Sequence, residues 1–372
     1  MTFDPFAGQI FVDNAWRAAT SPGRQERLDP ATLEPVGRIA LVEREEVEAV
    51  VTRANRAQRD WARVDAKTRA ALLHRVAQSI QDDSHHDVAE LMSREMGKPW
   101  GEALGEIANV APVFRYMAEL ARDEAGKVAG TTQAGSFQFA RYEPYGVSVH
   151  IMPFNFPILL MCWTVAASLA CGNAVVIKPA EPTTLSTLAF MKHFSCLPPG
   201  LVSCLPGGGA TGQALIESKG THLVAFTGGV ATGRKVAVAC AERFKPALIE
   251  AGGNDAMIVM DSAPVEVAAA GAVCAAFHLS GQVCTSAERL FVHERIHDAF
   301  LDAFATRTRA LRIGNGLERT EIGPLVSEAA RDKIAALVED AVRQGARVVT
   351  GGGGPPRPNS GRVSQPPNPA GR

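Results

Sequence analysis

Residues 43–64 and 66–96 carry apolar positions at helical spacing, with Leu72, Val76 and Ile80 followed by Val88 and Leu91, and Gly97 stands where a C-cap belongs. That spacing predicts helices in both stretches and a further helix over 102–122, within a first 125 residues that otherwise alternate with turn-rich sequence. Residues 129–144 break the rhythm. Gly130, Gly135 and the Phe137/Phe139 alternation predict a hairpin projecting from the main body. From Gly146 the pattern changes to short apolar, β-branched runs at 147–151, 174–177, 201–205, 223–226 and 248–249, separated by helical stretches at 158–170, 183–193, 210–217 and 230–241. Strand and helix in alternation predict an α/β fold, a parallel sheet with helices on its faces. A second α/β stretch follows, with strands near 257–260 and 290–292, helices at 264–276, 296–311 and 327–344, and a short strand over 347–350.

The chain has 372 residues, of which 46% are hydrophobic and 21% charged, the balance of a globular protein of two to three domains. Lys plus Arg number 38 against 39 Asp plus Glu, so no basic excess exists to neutralise phosphate backbones, and a nucleic-acid partner is not expected. Ile151 to Ile177 is a run of 27 residues without a charge, long enough to span a bilayer, but Pro153, Asn155, Pro157, Gly172 and Asn173 cut it into strand, loop, helix and strand. The N-terminus shows no basic stretch leading into an apolar one. With seven cysteines and no Cys-x-x-Cys pair, neither a disulfide framework nor a zinc ribbon is indicated, and a soluble, cytoplasmic protein is the simplest expectation. Residues 351–372 hold six Gly, six Pro, three Arg and no acid, a composition that buries too little to offset its ordering entropy, so disorder is expected there.

Three glycine-rich turns fall in the parallel-sheet region. Gly207 to Gly212 fits G-x-G-x-x-G after a strand and before a helix, although no acid follows about 20 residues later to hold a ribose. Phe226-Thr227-Gly228-Gly229 through Gly233 also joins a strand to a helix, whose N-terminus suits a pyrophosphate. Glu250-Ala251-Gly252-Gly253 brings a carboxylate to a strand end. Any one of these is an ordinary tight turn when considered alone; three at successive strand ends favour a nucleotide site. Cys284, in Ser280-Gly281-Gln282-Val283-Cys284-Thr285-Ser286, sits in small, polar surroundings that suit an exposed thiolate, whereas the other six cysteines read as small core residues. A Cys–His hydrolase stays open on these residues, but no histidine is distinguished by context. His85 and His86 read as solvated positions on two faces of a helix, without metal-like spacing.

Taken together, these motifs resemble the NAD(P)-dependent aldehyde dehydrogenase superfamily. Pro153-Phe154-Asn155-Phe156-Pro157 is similar to the family's Asn motif, Lys178-Pro179-Ala180-Glu181 to its adenosine-ribose motif, and Phe226-Thr227-Gly228-Gly229 through Gly233 to its cofactor turn, with Gly229 in place of the usual Ser. Glu250-Ala251-Gly252-Gly253 resembles the general-base motif and Gly281-Gln282-Val283-Cys284 the nucleophile motif, 34 positions later and in the family's order. The resemblance implies a Rossmann-like NAD-binding domain over 1–126 and 146–251, an oligomerisation hairpin over 127–145 and a partial catalytic domain over 252–350. It implies Cys284 as nucleophile, Asn155 as oxyanion donor and Glu250 as the base that activates water. Phe154, Lys178, Glu181, Thr227, Gly228, Gly229 and Gly233 would bind the cofactor, and no metal is implied. A carboxylate at 181 repels a 2′-phosphate, so NAD is expected rather than NADP. Trp163 stands where semialdehyde-specific members carry an Arg, which disfavours succinate semialdehyde.

The family continues well beyond residue 350, with a Glu-x-Phe-Gly-Pro segment and a strand used in subunit pairing. The sequence is therefore expected to lack part of the catalytic domain, to be poorly soluble, and to lack the strand through which the family's homo-oligomer pairs. Two alternatives accompany this reading: an inactive remnant with weak NAD binding, and a coenzyme-A-acylating dehydrogenase. Glu250 argues against the second, since water activation is what that residue would supply.

Overall fold

Val147–Ile151 and Ala174–Lys178 are buried at every position, as central strands covered on both faces must be, which is why they read as unbroken apolar runs. In the computed structural model, which describes residues 6–123, 126–130 and 133–352, they lie mid-sheet in the order Ala247–Ala251, Leu223–Gly228, Val147–Ile151, Ala174–Lys178, Val202–Cys204, Gln9–Val12, Ala15–Ala18. The first five strands are parallel. The last two are an antiparallel hairpin that joins through Phe11 opposite Cys204. Asp13 and Asn14, both at positive φ (53° and 61°), make its two-residue turn. The helices Arg44–Trp61, Leu159–Ala170, Gly209–Glu217 and Val230–Ala241 accompany this sheet, and the fold is α/β.

Several elements depart from the expected ones. The N-terminal region holds four strands, adding Arg24–Leu28 and Pro35–Ala40 to the hairpin just described. Residues 66–96 form two helices, Ala66–Gln81 and His86–Met96, because His85 turns the chain at φ 57°. Gly97, at φ 86°, does cap the second, and a Cβ there would meet the Pro324 ring at 2.5 Å. Residues 102–122 also split, into Trp100–Ala108 and Val110–Asp123, since Pro112 has no N–H to bond the Ala108 carbonyl. The expected strand at 347–350 is absent: that segment finds no neighbouring strand to pair with. Gly126–Ala129 and Gln138–Arg141 pair as an antiparallel hairpin exposed at every position. The uncharged run is strand, turn, helix and strand, and among the described residues no helix is long and apolar enough to cross a membrane. Residues 353–372, expected to be disordered, lie outside the described residues.

Two apolar clusters form the interior. The larger runs from Ile10 to Leu279 and includes the fully buried Trp61, Phe114 and Phe190. The smaller one gathers Val259, Phe277, Phe300 and Phe304 beside the parallel pair Asp255–Val259 and Ala287–Val292, with Phe304 stacked on both other rings.

Buried glutamates tie distant segments to the larger cluster. Glu46 accepts from the Thr20 and Ser21 amides at 2.8 and 3.1 Å. Glu95, fully buried, accepts from the Leu185 and Ser186 amides at 2.7 Å each, capping the helix Thr184–Phe190 from outside. Burial pushes the Glu95 carboxyl up to about 7, with those amides and Arg27 pulling the other way. Since the unfolded chain gives up this proton near 4.5, the unfolded state releases it first as pH rises. Glu95 therefore favours the folded state most below pH 4.5, and that contribution is lost as pH rises through about 7. Glu95→Gln is expected to remove this loss, on the order of 3 kcal/mol across the window. Urea denaturation of both proteins at several pH values within it measures the difference; parallel stability curves would refute the assignment.

Candidate active site

Parallel strands deliver their C-terminal ends to one edge of a sheet, and there this chain opens a cavity of about 1280 Å³. Val147–Ile151 runs into Phe154 and Asn155, Ala174–Lys178 ends on Lys178, and Leu223–Gly228 ends on Thr227 and Gly228; all five residues line the cavity, with Glu181, Gly229 and Cys284. Gly233 and Glu250 do not line it. Gly233 lets its helix approach the sheet, for a Cβ there would lie 3.1 Å from the Phe226 ring and 3.2 Å from Ile249. Glu250 is exposed on the sheet's edge strand, in register with Thr227, and the next two residues, Ala251 and Gly252, are in the lining. Trp163 is half exposed and outside the lining.

The helices Gly209–Glu217 and Val230–Ala241 begin after Gly208 and Gly229, neither of which has a side chain to cap them. Their first amides are unpaired donors beside a cavity, an arrangement suited to anions. Lys178 donates to the Pro179 and Gly207 carbonyls at 2.7 and 2.6 Å, which leaves its third N–H. Burial lowers its ammonium to about 8, partly offset by Glu181. The Glu181 carboxylate lies opposite Gly208, 3.0 Å from where a Cβ would stand.

On the other side Asn155 is joined to the cysteine loop. Its Nδ2 donates to the Gln282 carbonyl at 2.9 Å, two residues before Cys284, while its Oδ1 accepts from the Phe156 amide at 3.0 Å. The loop is bent by three successive residues in the left-handed region, Leu279, Ser280 and Gly281, at φ 50°, 58° and 74°. The first two cost about 1–3 kcal/mol each. Contacts from outside hold the bend: the Leu279 amide donates to Glu102 at 3.0 Å, Ser280 Oγ to the Gly323 carbonyl at 2.9 Å, and the Val326 amide to the Gln282 side chain at 3.0 Å. Gly253 must lack a side chain, since a Cβ there would lie 2.7 Å from the Cys284 carbonyl oxygen. Cys284 itself is half buried.

Beneath the Asn155 loop lies a buried ion pair that sequence reasoning missed. Lys98 and Glu106 are both shielded from solvent and bonded to each other. Lys98 Nζ also donates to the Asn155 carbonyl at 2.6 Å and sits 3.9 Å over the Phe156 ring. Glu106 accepts the Ile158 and Leu159 amides at 2.8 and 2.9 Å, capping the helix that follows the loop. The available signal was Glu106 at helical spacing with Ala103 and Ile107, a charge on a core-facing stripe. Two other expectations need correction. Cys171 and Cys274 are exposed and Cys196 is half buried, so only Cys162, Cys204 and Cys240 are core residues: Cys171 follows a helix end, and Cys274 lies on a helix with an open face. His85 is buried rather than solvated, because it is the turn before its helix and its ring bonds the Ile80 carbonyl.

A Rossmann-type cleft with a cysteine opposite uncapped helix ends defines the class as a nucleotide-dependent enzyme. The sequence pattern described as the aldehyde dehydrogenase family matches residues 16–367. The chain is 34% identical to 3,6-anhydro-alpha-L-galactose dehydrogenase of Vibrio sp. (strain EJY3) over 348 residues, covering 92% of this chain and 72% of that protein. It is 34% identical to betaine aldehyde dehydrogenase of Bacillus subtilis (strain 168) over 355 residues, covering 94% and 72%. Among solved structures it is similar to a 3,6-anhydro-L-galactose dehydrogenase in complex with NAP, with TM-score 0.91, 31% identity and 96% and 76% coverage. Lactaldehyde dehydrogenase from Escherichia coli matches with TM-score 0.92, 31% identity and 97% and 76% coverage. The chain belongs to the aldehyde dehydrogenase family, and its activity class is aldehyde oxidation.

Removing one partner of a buried ion pair strands the other charge, at a cost of about 3–5 kcal/mol. Lys98→Met is therefore expected to destabilise the chain by that amount, and Lys98→Met with Glu106→Leu to recover part of it. Denaturant unfolding of the two variants checks this, and a single variant as stable as the parent would refute it.

Proposed function

We propose that this chain oxidises an aldehyde to the carboxylic acid with NAD as hydride acceptor, through a thiohemiacetal and a thioester on Cys284. The observation that carries the reading is the Asn155 amide held to the cysteine loop, with both residues lining the cavity that the uncapped helix ends also face. The residues present fit a dinucleotide. Free helix amides suit its phosphates, and Lys178 and Glu181, side by side in the lining, suit the adenosine ribose hydroxyls. The family's members use NAD(P); the Glu181 carboxylate would oppose a 2′-phosphate, which favours NAD here. Bound there, the cofactor supplies the hydride acceptor.

The Cys284 thiolate attacks the aldehyde carbon, forming a C–S bond as the carbonyl electron pair moves to oxygen. The remaining Asn155 Nδ2 proton and the Cys284 backbone N–H stabilise that oxyanion, with roughly 3–4 kcal/mol per donor in comparable sites. Collapse of the oxyanion expels hydride and leaves the thioester. Glu250, at the rim beside Thr227, takes a proton from water as the water oxygen attacks the thioester carbon. The C–S bond then breaks, releasing the acid and the thiolate. Phe154, Thr227, Gly228 and Gly229 shape the cofactor channel, and Gly233 allows the close helix packing behind it. We read the exposed hairpin, with Val128 and Phe139 at 73% and 67% exposure, as the element that pairs subunits in a homo-oligomer. The two apolar clusters support a cofactor domain over 1–126 and 146–251 and a catalytic unit over 252–350.

Cys284→Ala is expected to abolish NADH formation from aldehyde while leaving NAD binding nearly intact, as read by absorbance at saturating NAD and by cofactor fluorescence quenching. Unchanged turnover would end the proposal. Glu250→Gln keeps the shape and removes the base, so a single burst of NADH per site followed by a stall is expected, with an acyl adduct on Cys284 by mass spectrometry. A variant with full steady-state turnover would assign water activation to another group.

A further inference from the structure

The turn that separates Ala66–Gln81 from His86–Met96 does more than break a helix. With the 3-10 turn Met191–Phe194 it brings Asp83, His85 and His193 together, and none of the three lines the cavity. Asp83 Oδ2 lies 3.6 Å from His193 Nε2 and 4.0 Å from His85 Nδ1, and the three atoms are all within 4.8 Å of one another. The opposite ring nitrogens are already committed. His85 Nε2 is bonded to the Ile80 carbonyl at 2.6 Å, and His193 Nδ1 to Ser79 Oγ at 2.9 Å. Because a carbonyl only accepts, the His85 proton is on Nε2 and its Nδ1 carries a lone pair. Both inward nitrogens, on side chains 9% and 2% exposed, lack any hydrogen-bond partner. Buried polar atoms are normally satisfied, so two imidazole nitrogens without a protein hydrogen bond, facing one carboxylate oxygen, mark a place for a further ligand.

We propose that Asp83, His85 and His193 form a divalent transition-metal site of the zinc type, separate from the aldehyde-oxidising centre. Two imidazoles and a carboxylate are a borderline-soft donor set that zinc accepts, with a fourth position left for water. Metal–ligand bonds of about 2.0–2.1 Å place tetrahedral ligand atoms about 3.3 Å apart, so separations of 3.6 Å, 4.0 Å and at most 4.8 Å need to close by no more than about 1.5 Å. The second contacts of both rings, to Ile80 and Ser79, fix their orientation as ligating histidines require. Phe190, with its ring 4.8 Å from that of His193, packs behind the site. Burial keeps the His193 imidazole neutral, with its pKa lowered to about 4. Burial works against the charged Asp83, but the Lys192 bond and the His85 amide hold its carboxyl down at about 2. Lys192 is the competing charge, 2.6 Å from Asp83 Oδ2. It also reaches Asp87 at 3.1 Å, a partner it keeps when a metal takes the Asp83 oxygen. Asp83, 25% exposed, provides the way in from solvent. An ion there would clamp the 82–85 turn to the 191–194 turn.

The test is titration of the chelator-treated full chain with Co²⁺ and with Zn²⁺. We expect one ion per chain, visible d–d absorption for Co²⁺ without a thiolate charge-transfer band, and displacement of Co²⁺ by Zn²⁺. His193→Gln and Asp83→Asn should lose stoichiometric binding. Ser79→Ala, at an exposed helix position, should weaken it about 10- to 100-fold, with NADH formation from aldehyde unchanged. Should His193→Gln fail to fold, the Asp83 and Ser79 variants still decide the matter. Absence of stoichiometric binding by the parent chain, a thiolate band, or binding unaltered in Asp83→Asn and Ser79→Ala would overturn the site.

Discussion

The Lys98–Glu106 pair is the contact on which the candidate site rests. A buried charge pair is tolerated only when its remaining hydrogen-bonding capacity is filled, and here that filling positions the active-site loop. Lys98 holds the Asn155 carbonyl and the face of Phe156, while Glu106 holds the amides that open the helix Leu159–Ala170. The loop between the strand Val147–Ile151 and that helix is thus fixed from below at both ends. With its backbone fixed, the Asn155 side chain can reach across to the Gln282 carbonyl and register the cysteine loop against the sheet. The strained bend at Leu279–Gly281 is the complementary half: its conformational cost is met by the Glu102, Gly323 and Val326 contacts, so Cys284 is presented by an over-determined loop.

The parallel sheet and the residues at its carboxyl edge were legible because both are written locally. A buried parallel strand is a continuous apolar run, and the glycines and polar residues that end it stand next in sequence, as at Lys178, Thr227-Gly228 and Glu250. What was not legible is what depends on distant partners. The strand Arg24–Leu28 carries three charges in five residues and finds its place only by pairing with Pro35–Ala40. Residues 347–350 have the composition of a strand and lack a partner. Glu46, Glu95 and Glu106 have no amide partner close by in sequence; each accepts two amides from segments 25 to 91 residues away. His85 was misread for the same reason. Its left-handed turn and its burial come from the packing of the helices around it, not from its own neighbours in sequence.

These remote caps also explain the electrostatics of the cavity. The helices Leu159–Ala170 and Thr184–Phe190, facing the interior, have their first amides neutralised by glutamates from other elements. The helices Gly209–Glu217 and Val230–Ala241, facing the cavity, begin at glycines and keep theirs free. Helix N-termini left open beside the cavity suit an anion without many cations, in keeping with a chain of 38 basic and 39 acidic residues. Lys178 fits the same scheme. It spends two of its donors on the Pro179 and Gly207 carbonyls, which fixes the direction of the third. Backbone amides, unlike mobile surface cations, need no reorganisation as a phosphate arrives. In the reading proposed above, the Glu181 carboxylate in the cavity lining is the group that would oppose a 2′-phosphate.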